Sequence, residues 1–105
     1  SEMCIRDRAT TSHLPHFVAA LLAGQLPEKW REFTATGFRD TTRIAAGDPA
    51  LWTAIALENS LAVSHAFDQF AKQMDKLREA VLKSDGESVN HLLTEAKKVR
   101  DALGS

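Results

Sequence analysis

The chain has 105 residues, 44% apolar and 26% charged, and a formal net charge of −1. That length predicts one small domain, and the even mixture of Lys/Arg with Asp/Glu excludes the basic patch that nucleic-acid binding needs. A single cysteine, Cys4, rules out an internal disulfide and predicts a reducing compartment, the cytoplasm; no apolar run has the length of a membrane span, so no membrane partner is expected.

Residues 1–8 resemble a translated sequencing-adaptor remnant and are set apart as a non-native or truncated leader; the folded domain is expected over residues 9–103. No segment alternates apolar and polar residues as a strand would, which predicts an all-α fold. A first helix is predicted from Ala9 to Ala23, with Leu14, Phe17, Val18, Leu21 and Leu22 on one stripe and Gly24 ending it. Pro15 either lies in the first turn of that helix or kinks a longer one. Pro27 opens a short helical turn through Trp30 and Phe33, and a second short helix is predicted over Phe38 to Ala46, stopped by Gly47.

Asp48-Pro49 reads as a helix start, with Asp48 as cap and Pro49 in the first turn. Apolar residues then recur at steps of three and four from Trp52 to Val81, without Gly or Pro before Gly86. An unbroken helix from Pro49 to Lys83 would be roughly 50 Å long. A compact chain of this size has a diameter near roughly 34 Å, so such a helix cannot be covered by its own chain. A homodimer through the long helix is therefore predicted, the alternative being a kinked helix that folds back. Ser84-Asp85-Gly86-Glu87 reads as a capping box, with Ser84 as cap, opening a last helix that carries Val89, Leu92, Leu93, Ala96, Val99 and Leu103 inward.

Two segments hold the residues with chemical potential. In Ser12-His13-Leu14-Pro15-His16, the two histidines are three apart. As a metal pair they lack further ligands at suitable spacing, so no metal is expected. Ser12 beside His13 lacks the surroundings of a hydrolase nucleophile. The bland reading of His13 is a partly buried ring bonded to the backbone. In Gly37-Phe38-Arg39-Asp40-Thr41-Thr42-Arg43, Arg39 and Arg43 would share a helix face. They either offer planar forks to a carboxylate, with Asp40 holding one of them, or form a solvated, salt-bridged turn. The five glycines, at 24, 37, 47, 86 and 104, are too dispersed for a dinucleotide cradle, so this chain alone shows no cofactor site.

The ordered pair Ser12-His13-Leu14-Pro15-His16 and Gly37-Phe38-Arg39-Asp40-Thr41-Thr42-Arg43-Ile44-Ala45, followed by Asp48-Pro49 and Leu51-Trp52, resembles the C-terminal helical dimerisation domain of the prephenate dehydrogenase family. Prephenate, arogenate and cyclohexadienyl dehydrogenases share that domain, and the resemblance spans residues 9–103. It implies oxidative decarboxylation of prephenate, or of arogenate, with NAD or NADP in tyrosine biosynthesis. A preceding Rossmann domain would hold the cofactor and the histidine that takes the ring-hydroxyl proton, so no catalytic or cofactor-binding residue is expected in this chain. By the resemblance, Arg43 binds a substrate carboxylate and Ser12 and His16 line the pocket, with His13, Gly37 and Trp52 as further candidates. The family's upstream His-Asp-Arg group has no counterpart at the right spacing, since Arg6-Asp7-Arg8 falls in the leader. The isolated chain should be inactive. The competing expectation is a stand-alone helical dimerisation or ligand-binding module.

Overall fold

A computed structural model describes residues 4–104. Its described residues are helical or irregular, with no strand among them. The chain divides between Phe67 and Asp68 into two compact units.

The first helix begins at α1 (Ile5–Arg8), upstream of its expected start, and passes through a π-helical turn, Ala9–His13, into α2 (Leu14–Gly24). Proline 15 explains the wide turn. Its ring has no N–H and crowds the carbonyl four residues back, which an α-helical register cannot accommodate. The Leu14 N–H instead reaches the Ala9 carbonyl, five residues back, and the helix widens just ahead of the proline. Pro15 thus sits inside a continuous helix, and Gly24 is its last residue rather than the one beyond it.

Pro27 precedes a 3₁₀ turn, Glu28–Phe33. The single helix expected over Phe38 to Ala46 is instead α3 (Thr36–Thr42) followed by a 3₁₀ turn, Arg43–Ala46. Thr42 marks the change: its hydroxyl donates to the Phe38 carbonyl at 2.7 Å, and its ψ of 2° leaves the α-helical range. Asp48 caps α4 (Pro49–Glu58) as its sequence indicates, its carboxylate accepting from the Ala50 N–H at 3.0 Å.

The helix expected to run unbroken from Pro49 to Lys83 is divided at Asn59 into α4 and α5 (Ser60–Leu82). Asn59 adopts φ −120° and ψ 33°, and its amide Nδ2 donates to the Ile55 carbonyl beside its own backbone N–H, both at 3.2 Å. The side chain competes for a helical acceptor, the local habit that makes asparagine a poor residue in helix interiors. The first unit closes where Ala9, Val63 and Ala66 form a buried cluster, with Leu14, Phe17 and Ala62 against it. Alanine on both sides lets the π turn and α5 approach closely.

In the second unit α5 ends differently from the sequence reading. Ser84 has a positive φ of 54°, the Asp85 N–H bonds the Ala80 carbonyl at 2.8 Å, and the Ser84 N–H bonds Val81. That is a left-handed helix ending, so Ser84 closes α5 and cannot cap the next helix. Asp85 caps α6 (Gly86–Ala102) in its place: its carboxylate accepts from the Ser88 N–H at 3.1 Å and from the Ser88 hydroxyl at 2.6 Å. The hydroxyl of Ser88, then its N–H, hold the Asp85 carboxyl below its ordinary 3.8. A group lowered on folding stabilises the fold above its unfolded value and loses that contribution as pH falls through the folded one. Asp85→Ala is accordingly expected to lower the melting temperature at neutral pH, with the gap from the parent closing as pH drops below about 3.8. A gap constant with pH in circular-dichroism melts would refute the cap.

Among the described residues, the buried hydrophobic ones are four alanines and Val63. Large apolar side chains stay outside: Leu57 is 73% and Leu61 88% exposed in the first unit, and Leu82, Val99 and Leu103 are exposed in the second.

Candidate functional site

The π turn and α2 carry Ser12, His13 and His16, α4 carries Trp52, and α2 packs against the Arg43–Ala46 turn. The wide turn and the proline place the two histidines toward the same indole. The His16 ring lies flat on Trp52, with centroids 3.7 Å apart and planes 8° from parallel. His13 meets the same ring edge-on at 6.2 Å, and Phe17 does so at 5.9 Å. Phe17 is also edge-on to His16 and to Phe67 of α5. The edge-on pairs are ones that ring quadrupoles favour; the His16–Trp52 stack is closer than the usual spacing of aromatic pairs.

Among the described residues, His16 is the one polar residue in the buried set, 6% exposed. A cavity of about 340 Å³ lies alongside it, lined by His16, Phe17, Ala45, Gly47, Trp52 and Thr53 among others. Gly47 closes one side. A Cβ placed on it would lie 2.9 Å from both His16 Cε1 and Trp52 Nε1. The Nδ1 atom of His13 is buried without a hydrogen-bond partner among the described residues, which departs from the backbone-bonded ring expected of it.

Of the residues singled out by sequence, His13, His16 and Trp52 are brought into one aromatic group. Ser12 is exposed on the π turn next to it. Arg43 is exposed at the start of the turn whose Ala45 lines the cavity. Gly37 is exposed within α3, nothing lies within 4 Å of where its Cβ would be, and it is not among the residues lining the cavity. Asp40 does not hold either arginine: among the described residues it makes no ion pair with Arg39 or Arg43, and the shared helix face fails because Thr42 leaves the α-helical conformation between them. Phe17 and Gly47 were not singled out for the site by sequence. Phe17 looked like any member of the apolar stripe, and Gly47 like a helix stop; only a contact between distant helices distinguishes them.

The second unit has a wider cleft of about 830 Å³ between the end of α5 and the start of α6, lined by Lys76, Glu79, Lys83, Asp85, Glu87 and His91 among others. Its charges are of both signs, and apart from the half-buried Glu79 those named are exposed. Among the described residues, no group of three or more His, Cys, Asp or Glu is placed to hold a metal ion. No described helix is long and apolar enough to cross a membrane.

Comparison with known proteins matches residues 6–95 to the family described as prephenate dehydrogenase, dimerization domain. The chain is 40% identical over 102 residues to a cyclohexadienyl dehydrogenase of Zymomonas mobilis, covering 90% of this chain and 35% of that protein. It is 40% identical over 98 residues to a prephenate dehydrogenase of Bacillus subtilis, covering 88% of this chain and 26% of that one. In structure it is similar to a prephenate dehydrogenase from A. aeolicus solved with hydroxyphenyl propionate and NAD+, with a TM-score of 0.83, 31% identity, and coverage of 94% of this chain and 37% of that one. The chain thus spans about a quarter to a third of the curated relatives it matches.

Proposed function

The chain belongs to the prephenate dehydrogenase family, matched by its dimerization domain, and from that premise we propose that residues 9–103 supply the dimer contact and part of the substrate pocket of an NAD(P)-dependent dehydrogenase. The reaction is the oxidative decarboxylation of prephenate: prephenate and NAD(P)+ give 4-hydroxyphenylpyruvate, carbon dioxide and NAD(P)H. One observation carries this reading. A buried histidine from the Ser12–His16 segment stacks on Trp52 beside a cavity whose wall continues into the turn opened by Arg43.

The roles follow from side-chain chemistry. Arg43 offers a planar guanidinium to a substrate carboxylate. His16 presents an imidazole edge to the cavity, and Trp52 fixes its plane. Ser12 adds a hydroxyl at the rim. The exposed Leu57 and Leu61 favour a second copy as the partner. The residues present do not fit the dinucleotide: the glycines are dispersed, and no described strand leads into a glycine-rich turn. Its binding is assigned to a Rossmann domain on the same polypeptide, upstream of residue 9.

Expression of the complete reading frame tests the proposal. The full protein is expected to release carbon dioxide from prephenate with reduction of NAD+ or NADP+, and the 105-residue chain alone to sediment as a dimer without turnover. Turnover by the 105-residue chain, or a reading frame with no dinucleotide-binding sequence upstream, would replace this reading with that of a self-sufficient module.

A further inference from the structure

We propose that Gly47 is a positioning residue for the substrate pocket: by lacking a side chain it lets the His16 imidazole and the Trp52 indole close face to face, and so sets where the imidazole edge meets the substrate. This inference rests on the proposed assignment of His16 to that pocket.

The backbone at Gly47 does not call for glycine. Its φ is −62° and its ψ 165°, an extended conformation open to any L residue. The requirement is spatial. A Cβ there would stand 2.9 Å from His16 Cε1, 2.9 Å from Trp52 Nε1 and 3.3 Å from Trp52 Cδ1. It would press at once on the edges of both stacked rings.

Neither ring can yield cheaply. His16 is 6% exposed, and Phe17 lies beside the stack, its ring centroid 5.9 Å from that of His16 and 5.9 Å from that of Trp52. The indole of Trp52 is bounded by the edges of His13 and Phe17. A methyl group at position 47 must therefore part the stack or swing one ring out of it, and either movement shifts the imidazole edge that lines the cavity. Gly37, by contrast, has nothing within 4 Å of its Cβ position, so alanine there adds no contact. Displacing the imidazole misaligns the hydrogen bond it would make to a substrate, and such bonds weaken steeply as their angle closes.

The test uses the complete dehydrogenase, with Gly47→Ala, Trp52→Leu, the double variant, and His16→Asn as reference. Gly47→Ala is expected to raise KM for prephenate about tenfold with kcat changed less than about threefold. In the Trp52→Leu background, where the stack is already gone, the same substitution should change KM less than about twofold, a non-additivity that a general loss of stability would not produce. With histidine labelled at Cε1, the His16 proton signal, assigned by its absence in His16→Asn, should lie upfield from the indole ring current and move downfield in Gly47→Ala. An unmoved signal overturns the proposal whatever the kinetics do. A moved signal with unchanged KM in Gly47→Ala, while His16→Asn raises KM, overturns the link from position 47 to binding. Unchanged KM in His16→Asn sinks the pocket assignment itself, and this proposal with it.

Discussion

In the complete dehydrogenase, Arg43→Ala is expected to raise KM for prephenate by about 100-fold while kcat falls much less. The guanidinium is exposed and forms no ion pair among the described residues, so none of them holds it by a carboxylate. Hydrogen bonds to a charged partner contribute about 1.5–3 kcal/mol, and each 1.4 kcal/mol or so is a factor of ten in binding. A bidentate contact with a carboxylate lies at the upper end of that range, which is where the 100-fold figure comes from. Arg43→Lys retains the charge but not the planar fork and should recover only part of the loss. Arg39→Ala is the internal comparison. It removes a like charge from α3, outside the turn that reaches the cavity, and should change KM by less than about threefold. Steady-state kinetics on the three variants decide the matter; a KM for Arg43→Ala within twofold of the parent would remove Arg43 from the pocket.

The parts of the fold that were legible in the sequence are those decided by near neighbours. Asp48-Pro49 opens α4 as read, because a cap and a first-turn proline act within three residues. The all-helical class follows from periodicity alone. The cap of α6 was misplaced by one residue because Ser84 and Asp85 are both good caps by composition. The choice falls to the end of the preceding helix, where Ser84 is drawn into a left-handed conformation. The break at Asn59 was hidden for a related reason: asparagine is tolerated in helices, and only its amide bond to the Ile55 carbonyl turns it into an interruption. A helix divided there is shorter than the one from which a homodimer was argued. The exposed Leu57 and Leu61, and the match to a dimerization domain, favour a second copy as the partner.

The candidate site divides the same way. Its residues could be chosen from the order of two motifs, but the stack of His16 on Trp52 joins α2 to α4 across two 3₁₀ turns and the short helix α3, and no local pattern announces it. The demand on Gly47 is more remote still. A glycine before a capping aspartate has a sufficient local explanation as a helix stop, so nothing in the sequence asks for a second one.

Trp52→Ala is the substitution expected to cost the fold most. Truncating a tryptophan in a well-packed core costs about 3–5 kcal/mol; Trp52 is half-buried, which brings the expectation to about 2–3 kcal/mol. The indole is the shared surface of His13, His16 and Phe17, so its removal leaves three rings without a common partner and opens the cavity wall between α2 and α4. The remaining contact of Phe17 with Phe67, at 5.8 Å, still ties α2 to α5, so the unit should weaken rather than unfold. Trp52→Phe keeps a ring in the stack and should recover more than half of the loss. Urea denaturation at one fixed protein concentration measures both, since an associating protein's apparent stability moves with concentration. A loss below about 0.5 kcal/mol for Trp52→Ala, the range of ordinary surface substitutions, would mean that the aromatic group does not hold the first unit together. The cavity beside His16 would then need another source of rigidity.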